Sequence, residues 1–249
     1  MKIPELEGLI ARRILLNYRV DPCVLRRLLP SPMEPLLMGG YGVAGVCLIR
    51  LEQLRPSCLD VSLPPALAMS SENAAHRVAV SLDGKPAVYI FRRDTSSRMN
   101  HWAGGRLFPG AHHLAKFTVT DSRDHVRIDM TSKGAVRVEV AGRPSDQWPA
   151  DSCFPSLAAA SDFFRAGCNG YSVTRASGRL DGLCLDVHDW QTESLDVERA
   201  ASTLYDDPVL FPHGSIELDH ALLMRNAKHN WRALDDLQVT APEVEFGAS

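Results

Sequence analysis

The densest collection of chemically capable side chains lies between Lys85 and Lys116, KPAVYIFRRDTSSRMNHWAGGRLFPGAHHLAK. Arg92 and Arg93, followed by Arg98 and Arg106, offer planar guanidinium forks that match carboxylates. His112 and His113, with Glu72 upstream, supply groups able to move protons. Lys116 supplies an amine, which among cations and away from water would lose proton affinity and become nucleophilic toward a carbonyl. Together with Arg77 and Trp102, these residues read as one wall of a small-molecule pocket. Arg77, Arg92, Arg93, Arg106 and Trp102 are the substrate-binding candidates; His112, His113, Glu72 and Lys116 are the catalytic ones. The competing reading makes the same run a set of helix caps and surface ion pairs, with Lys116 on the solvated face.

Other chemistries find no support. Adjacent His112 and His113 on a strand point to opposite sides, so they cannot easily share one ion, and no metal is expected. The six cysteines include no CxxC pair. There is no GxSxG elbow, and Gly104-Gly105-Arg106 has neither the spacing nor the lysine of a phosphate loop, so no cofactor is expected. A net charge of -3 gives no reason to invoke nucleic acid or an anionic membrane. Pro4, Glu5 and Glu7 interrupt any secretion-signal core, and the apolar run Pro35 to Ile49 is short and broken by Gly39, Gly40 and Gly45. A soluble, cytoplasmic protein with reduced thiols is the expectation.

The elements that must position these groups are mostly strands. Ile14 to Val20 reads as a strand entering a short helix, with Asp21 as N-cap, Pro22 in the first turn and Pro30 as the stop. Tyr41 to Leu51 reads as a strand buried on both sides, and Arg55 to Ser71 as a loop. Ala75 to Leu82 alternates, Asp83-Gly84 signals a hairpin, and Ala87 to Arg92 returns. A helix is expected to start at Asp94. Further strands are predicted at Leu114–Thr120, Val126–Thr131, Ala135–Val140, Gly170–Thr174, Leu183–His188, Ser194–Arg199 and Ser215–Leu223. One helix, Ser156 to Ala166, is closed by Gly167. With 45% hydrophobic and 23% charged residues, this pattern predicts one mainly β (α+β) domain over 1–249, a large antiparallel barrel with a few peripheral helices.

The segment Asn17 to Glu34, NYRVDPCVLRRLLPSPME, resembles the opening signature of acetoacetate decarboxylase-like proteins. The VYIFRRDTSSR…GGRLFPGAHH stretch looks closer still to their YqjF-like branch of conserved proteins without assigned function. The resemblance spans about 15 to 225. It implies a curved, cone-like β-barrel with a central cavity, often in a homo-oligomer, binding a small carboxylate or keto acid. Decarboxylases of that family use a lysine pair just after a Tyr/Phe-Pro step, the first lysine forming a Schiff base. Here Phe108-Pro109 is followed by Gly110-Ala111-His112-His113, so the classical activity is not expected. The resemblance also sets Glu72 about where a cavity glutamate stands, and Arg12 or Arg13 near a substrate arginine. Three readings follow: a ligand-binding barrel without the imine lysine, a lyase or aldolase working through Lys116, and a non-catalytic sensor or interaction protein.

Overall fold

A computed structural model describes residues 5–57, 69–103, 109–133 and 136–244. In chain order its strands are β1 (Leu6–Val20), β2 (Glu34–Pro35), β3 (Leu37–Met38), β4 (Tyr41–Pro56), β5 (Met69–Leu82), β6 (Lys85–Thr95), β7 (His112–Asp121), β8 (Val126–Ser132) and β9 (Arg137–Ser145). They continue as β10 (Asn169–Val173), β11 (Arg179–Val187), β12 (Glu193–Ser202), β13 (Ile216–Ala233) and β14 (Leu237–Gln238). Three helices stand among the described residues: α1 (Pro22–Leu28), α2 (Arg98–Ala103) and α3 (Leu157–Ala166).

Local chemistry sets the turns and caps. The Asp21 carboxylate accepts from the Cys23 amide at 2.7 Å and opens α1, with Pro22 following. Ser156 Oγ accepts from the Ala159 amide at 3.2 Å and opens α3. Asp83 and Gly84 both take positive φ, 51° and 75°, which is what a two-residue hairpin turn between β5 and β6 demands.

The pairing produces two closed rings that share one wall. β6–β7–β8–β9–β12–β13–β1–β4–β5 close into a nine-stranded barrel through the β5–β6 pairing. Strands β6–β10–β11–β13–β1–β4–β5 close a second, seven-stranded ring through β11–β13. The five strands β13, β1, β4, β5 and β6 are therefore walled on both faces, and their side chains alternate between two interiors. Ile14, Leu16, Val46, Leu48, Ile128 and Val138 fill the nine-stranded ring. Leu15, Cys47, Ile49, Leu222 and Met224 face the seven-stranded lobe, where Phe164 and Ala160 of α3 pack as a plug.

Several expectations need correction. Asp94 and Thr95 belong to β6, and the helix begins only at Arg98, because the carboxylate of Asp94 is engaged by Arg92 inside the barrel rather than free to cap. β1 starts at Leu6 and β13 runs to Ala233, both longer than expected, since the two rings give them partners along their whole length. β4 continues to Pro56 and β5 begins at Met69; Ala135 and 58–68 lie outside the described residues. The sheet is not wholly antiparallel, because β10 and β7 both pair parallel to β6. No helix among the described residues is long and apolar enough to cross a membrane.

Candidate ligand-binding site

Alternation on the shared wall splits each adjacent arginine pair. Arg12, 1% exposed, turns into the nine-stranded ring and donates to Glu72 Oε2 at 2.5 Å and Asp121 Oδ2 at 3.1 Å. Arg50 adds a bond to the other Glu72 oxygen at 3.2 Å. Arg92 forks onto Asp94 from the same side, at 3.0 Å, and reaches Ser132. Burial raises the Asp94 carboxyl, but the hydrogen bonds from Arg92 and the His76 ring 3.5 Å away outweigh it and hold the group at about 2.

The second member of each pair turns the other way, into the lobe. Arg13 Nε lies 3.4 Å from Cys47 Sγ, and its guanidinium sits over the Trp190 ring at 5.4 Å. Arg93 Nε donates to Ser172 Oγ at 2.9 Å. Arg77 joins them from β5, donating through one terminal nitrogen to Asn17 Oδ1 at 2.6 Å and stacking on Phe164 at 4.8 Å. Burial lowers both Arg77 and Arg93 to about 10, so both stay charged at neutral pH. None of the three forms an ion pair with a carboxylate among the described residues, whereas Arg12, Arg50 and Arg92 all do. Asp181, which accepts from the Gly110 amide at 2.9 Å, acts on Arg93 only through space.

A buried chain of hydrogen bonds fixes Arg77. Asp219 Oδ2 accepts from Ser152 Oγ and pairs with His220 Nδ1, both at 2.6 Å. Burial lowers the His220 pKa and keeps the ring neutral; Nδ1–H then faces Asp219, and Nε2 accepts from Asn17 Nδ2 at 3.0 Å. Across the wall these residues stand in one row, His220–Asn17–Gly45–Arg77. Gly45 is what lets the row close. A Cβ there would lie 2.1 Å from the Leu16 carbonyl oxygen and in the path between Asn17 and Arg77.

Beside this row lies a small, partly open cleft of about 40 Å³. Ile49, Leu51, Ala75, Leu183 and Trp231 give it apolar walls, Arg93, Asn73, Asn100 and His112 supply polar groups, and Asp94, already held by Arg92, also borders it. An apolar cleft with a few convergent polar groups is the usual form of a small-molecule site. Register sets His112 on β7 directly beside Arg93 on β6. Its Nδ1 donates to the Gly110 carbonyl at 3.2 Å, which leaves Nε2 as the accepting nitrogen. Burial and the adjacent Arg93 charge push its pKa down to about 3. Gly110, at φ 85°, packs so closely that a Cβ would lie 2.7 Å from Ser172 Cβ.

Of the residues nominated from sequence, Arg93 and His112 line this cleft and Arg77 faces the same lobe just beyond it. The remaining described ones do not meet there. Glu72 and Arg92 are consumed by ion pairs in the other ring. His113 is exposed, as is Trp102 at 80%, because their side chains project outward from β7 and α2. Lys116 is exposed as well: on β7 it is Ala115 that is buried, with Phe117 and Val119 packed against the core, so Lys116 takes the outer face. Arg106 lies outside the described residues. Between Arg12 and Arg13, only Arg13 faces the lobe. Lys85, Lys133 and Lys228 are also exposed, so every described lysine is in solvent. Asn73, Asn100 and Trp231 were missed from sequence. Asn73 and Ala75 become legible as lobe-facing once β5 is carried back to Met69, since they alternate in phase with Arg77.

The double ring and its one-sided cleft define an acetoacetate decarboxylase-like fold. Acetoacetate decarboxylase from Legionella pneumophila subsp. pneumophila str. Philadelphia 1 superposes with a TM-score of 0.61 at 12% identity, over 94% of this chain and 88% of that one. An acetoacetate decarboxylase-like enzyme from Sphingomonas wittichii RW1 gives 0.60 at 13%, over 95% and 93%. The enduracididine biosynthesis enzyme MppR, complexed with pyruvate, gives 0.55 at 16%, over 99% and 93%. No curated protein matches the sequence. Residues 10–213 match the model of the uncharacterized conserved protein family DUF2071 (COG2071), and the chain belongs to that family.

Proposed function

We propose that the seven-stranded lobe binds a small metabolite bearing a carboxylate, with or without a keto group, through arginine contacts and without a Schiff base. The observation that carries this is the uncompensated charge of the lobe. Arg93 lines the cleft, Arg13 and Arg77 face the same lobe, and none of the three forms an ion pair with a described carboxylate. Leaving a desolvated guanidinium unpaired costs several kcal/mol, and a ligand carboxylate held by Arg93 beside Asn100 relieves part of that cost. Pyruvate bound to the similarly folded MppR supports the ligand class. The exposure of every described lysine supports binding without an imine and disfavours a lyase working through Lys116. His112, held neutral well below its ordinary range, serves this reading as a hydrogen-bonding group more naturally than as a proton shuttle.

Thermal shift with pyruvate, acetoacetate and simple carboxylic acids tests the binding. Stabilisation in the native protein and its loss in Arg93→Gln are expected; no shift from any acid overturns the proposal. Borohydride treatment with pyruvate or acetoacetate, read by mass spectrometry, is expected to leave the chain mass unchanged. A reduced adduct on any lysine would restore imine chemistry. Product analysis of any acid that stabilises the chain then separates an enzyme from a sensor.

A further inference from the structure

Two cysteines that take no part in the cleft stand side by side where α3 runs into β10. Cys168 follows the Gly167 cap of α3 and is half-buried, while Cys184 lies on β11 and is 5% exposed. Asn169 pairs with Cys184 across the β10–β11 ladder, and the Leu185 amide donates to the Cys168 carbonyl at 3.0 Å, so the ladder reaches back to Cys168. Opposite residues of such a ladder lie about 4.5–5.5 Å apart at Cα, and one step along the strand adds about 3.4 Å at right angles. The resulting separation of Cys168 and Cys184, about 6 Å, falls inside the range of about 4.4–6.8 Å that a disulfide spans. Strict alternation would send the two side chains to opposite faces, but Cys168 precedes β10 and is not held to its pleat. The Cys184 thiol donates to Cys168, whose own thiol donates to Asn169 Oδ1 at 3.6 Å. Neither is in a disulfide, and the other described cysteines, Cys23, Cys47 and Cys153, sit on α1, on β4 and ahead of α3.

We propose that Cys168 and Cys184 are a redox modification site, a dithiol that hydrogen peroxide converts to a disulfide and a thiol reductant restores. Exposure assigns the order of events. Cys168, the more exposed, meets the oxidant first: its sulfur attacks one peroxide oxygen, the O–O bond breaks, and water leaves as the sulfenic acid forms. Cys184 then attacks the Cys168 sulfur, the S–S bond forms, and the sulfenic hydroxyl leaves with the Cys184 proton as a second water. The two sulfurs together give up two electrons, and the peroxide accepts both. Burial, and then the neighbouring Cys168 thiol, push the Cys184 thiol up to about 11, which keeps it protonated and inert toward peroxide itself. The new bond ties the end of α3, whose Ala160 and Phe164 plug the lobe, to the strand whose Leu183 lines the cleft.

Stoichiometric hydrogen peroxide, added to the folded full-length chain at neutral pH and followed by alkylation, digestion and mass spectrometry, tests this. The expected product is one linked pair, the Cys168 and Cys184 peptides, lighter by two hydrogens. Two of the six thiols are lost with it and recovered on adding dithiothreitol. In Cys184→Ser, oxidised Cys168 is expected to stop at the sulfenic acid and be captured by dimedone; in Cys168→Ser, Cys184 is expected to stay reduced. A link from either residue to another cysteine overturns the proposal. So does capture of a Cys168 sulfenic acid in the native chain with no link to Cys184, or no oxidation of the pair at all. A linked pair that forms as readily in urea as in the folded chain overturns it too, since chance encounter then accounts for the bond. The native digest decides even where a variant fails to fold.

Discussion

Burial governs the protonation of four histidines, and that makes stability depend on pH in a definite direction. His76, His112, His220 and His229 are all held below their ordinary values chiefly by desolvation, His112 at about 3 and His229 at about 4. Unfolded, each takes up a proton near pH 6.5. Below that pH the unfolded chain binds more protons than the folded one, so the stabilisation is complete above 6.5 and is lost as pH falls toward 4. Each such group costs about 1.4 kcal/mol per pH unit in that window. Asp94 and Asp219, both held at about 2, add their own loss only below their unfolded values near 3.8. Urea unfolding between pH 7 and 4.5 should therefore show a steady decline, and His229→Leu should make it shallower. A flat profile would mean that these rings are hydrated in solution.

At the level of the strand, two neighbouring residues answer to different interiors, and substitution separates them. Arg12→Met strands Glu72, which is 8% exposed, with only Arg50, and should cost about 3–5 kcal/mol. Arg13→Met removes a cation with no carboxylate partner and should change stability by no more than about 1 kcal/mol while weakening acid binding. Chemical denaturation and ligand titration of the two variants check this; equal destabilisation would refute the split. The strands themselves were legible in the sequence from alternation and turn residues, and so were the helix at Ser156 and the hairpin at Asp83-Gly84. Which face each cation would take was not. Local alternation says that Arg12 and Arg13 diverge, but both sides of β1 are buried, so hydrophobic pattern cannot tell one interior from the other. Lys116 shows the converse: its strand was read correctly, and the choice between cavity and solvent needed the partner strands β6 and β8.

Across the whole molecule, the sharing of β13, β1, β4, β5 and β6 between two rings leaves neither able to melt alone. We expect a single calorimetric transition, in keeping with one domain over the chain, and a ligand at one hundred times its dissociation constant should raise the stability of that one transition by about 2.7 kcal/mol. Two resolved transitions would show that the rings come apart. The irregularity of β6 opposite His76 and Arg77 has a consequence on this scale. There β5 advances one residue while β6 advances two, so Phe91 is the extra residue and both Phe91 and Arg92 turn toward the nine-stranded ring. The extra residue lets two successive side chains face one interior, while Arg92 stays opposite His76 and Arg93 opposite Ala75. Deleting Phe91 would restore strict alternation along β6 and leave both arginines on their own sides, taking an aromatic ring out of the nine-stranded core without moving a charge. A strand of such a barrel can thus change its length by one residue at a bulge and keep the address of every cation beyond it.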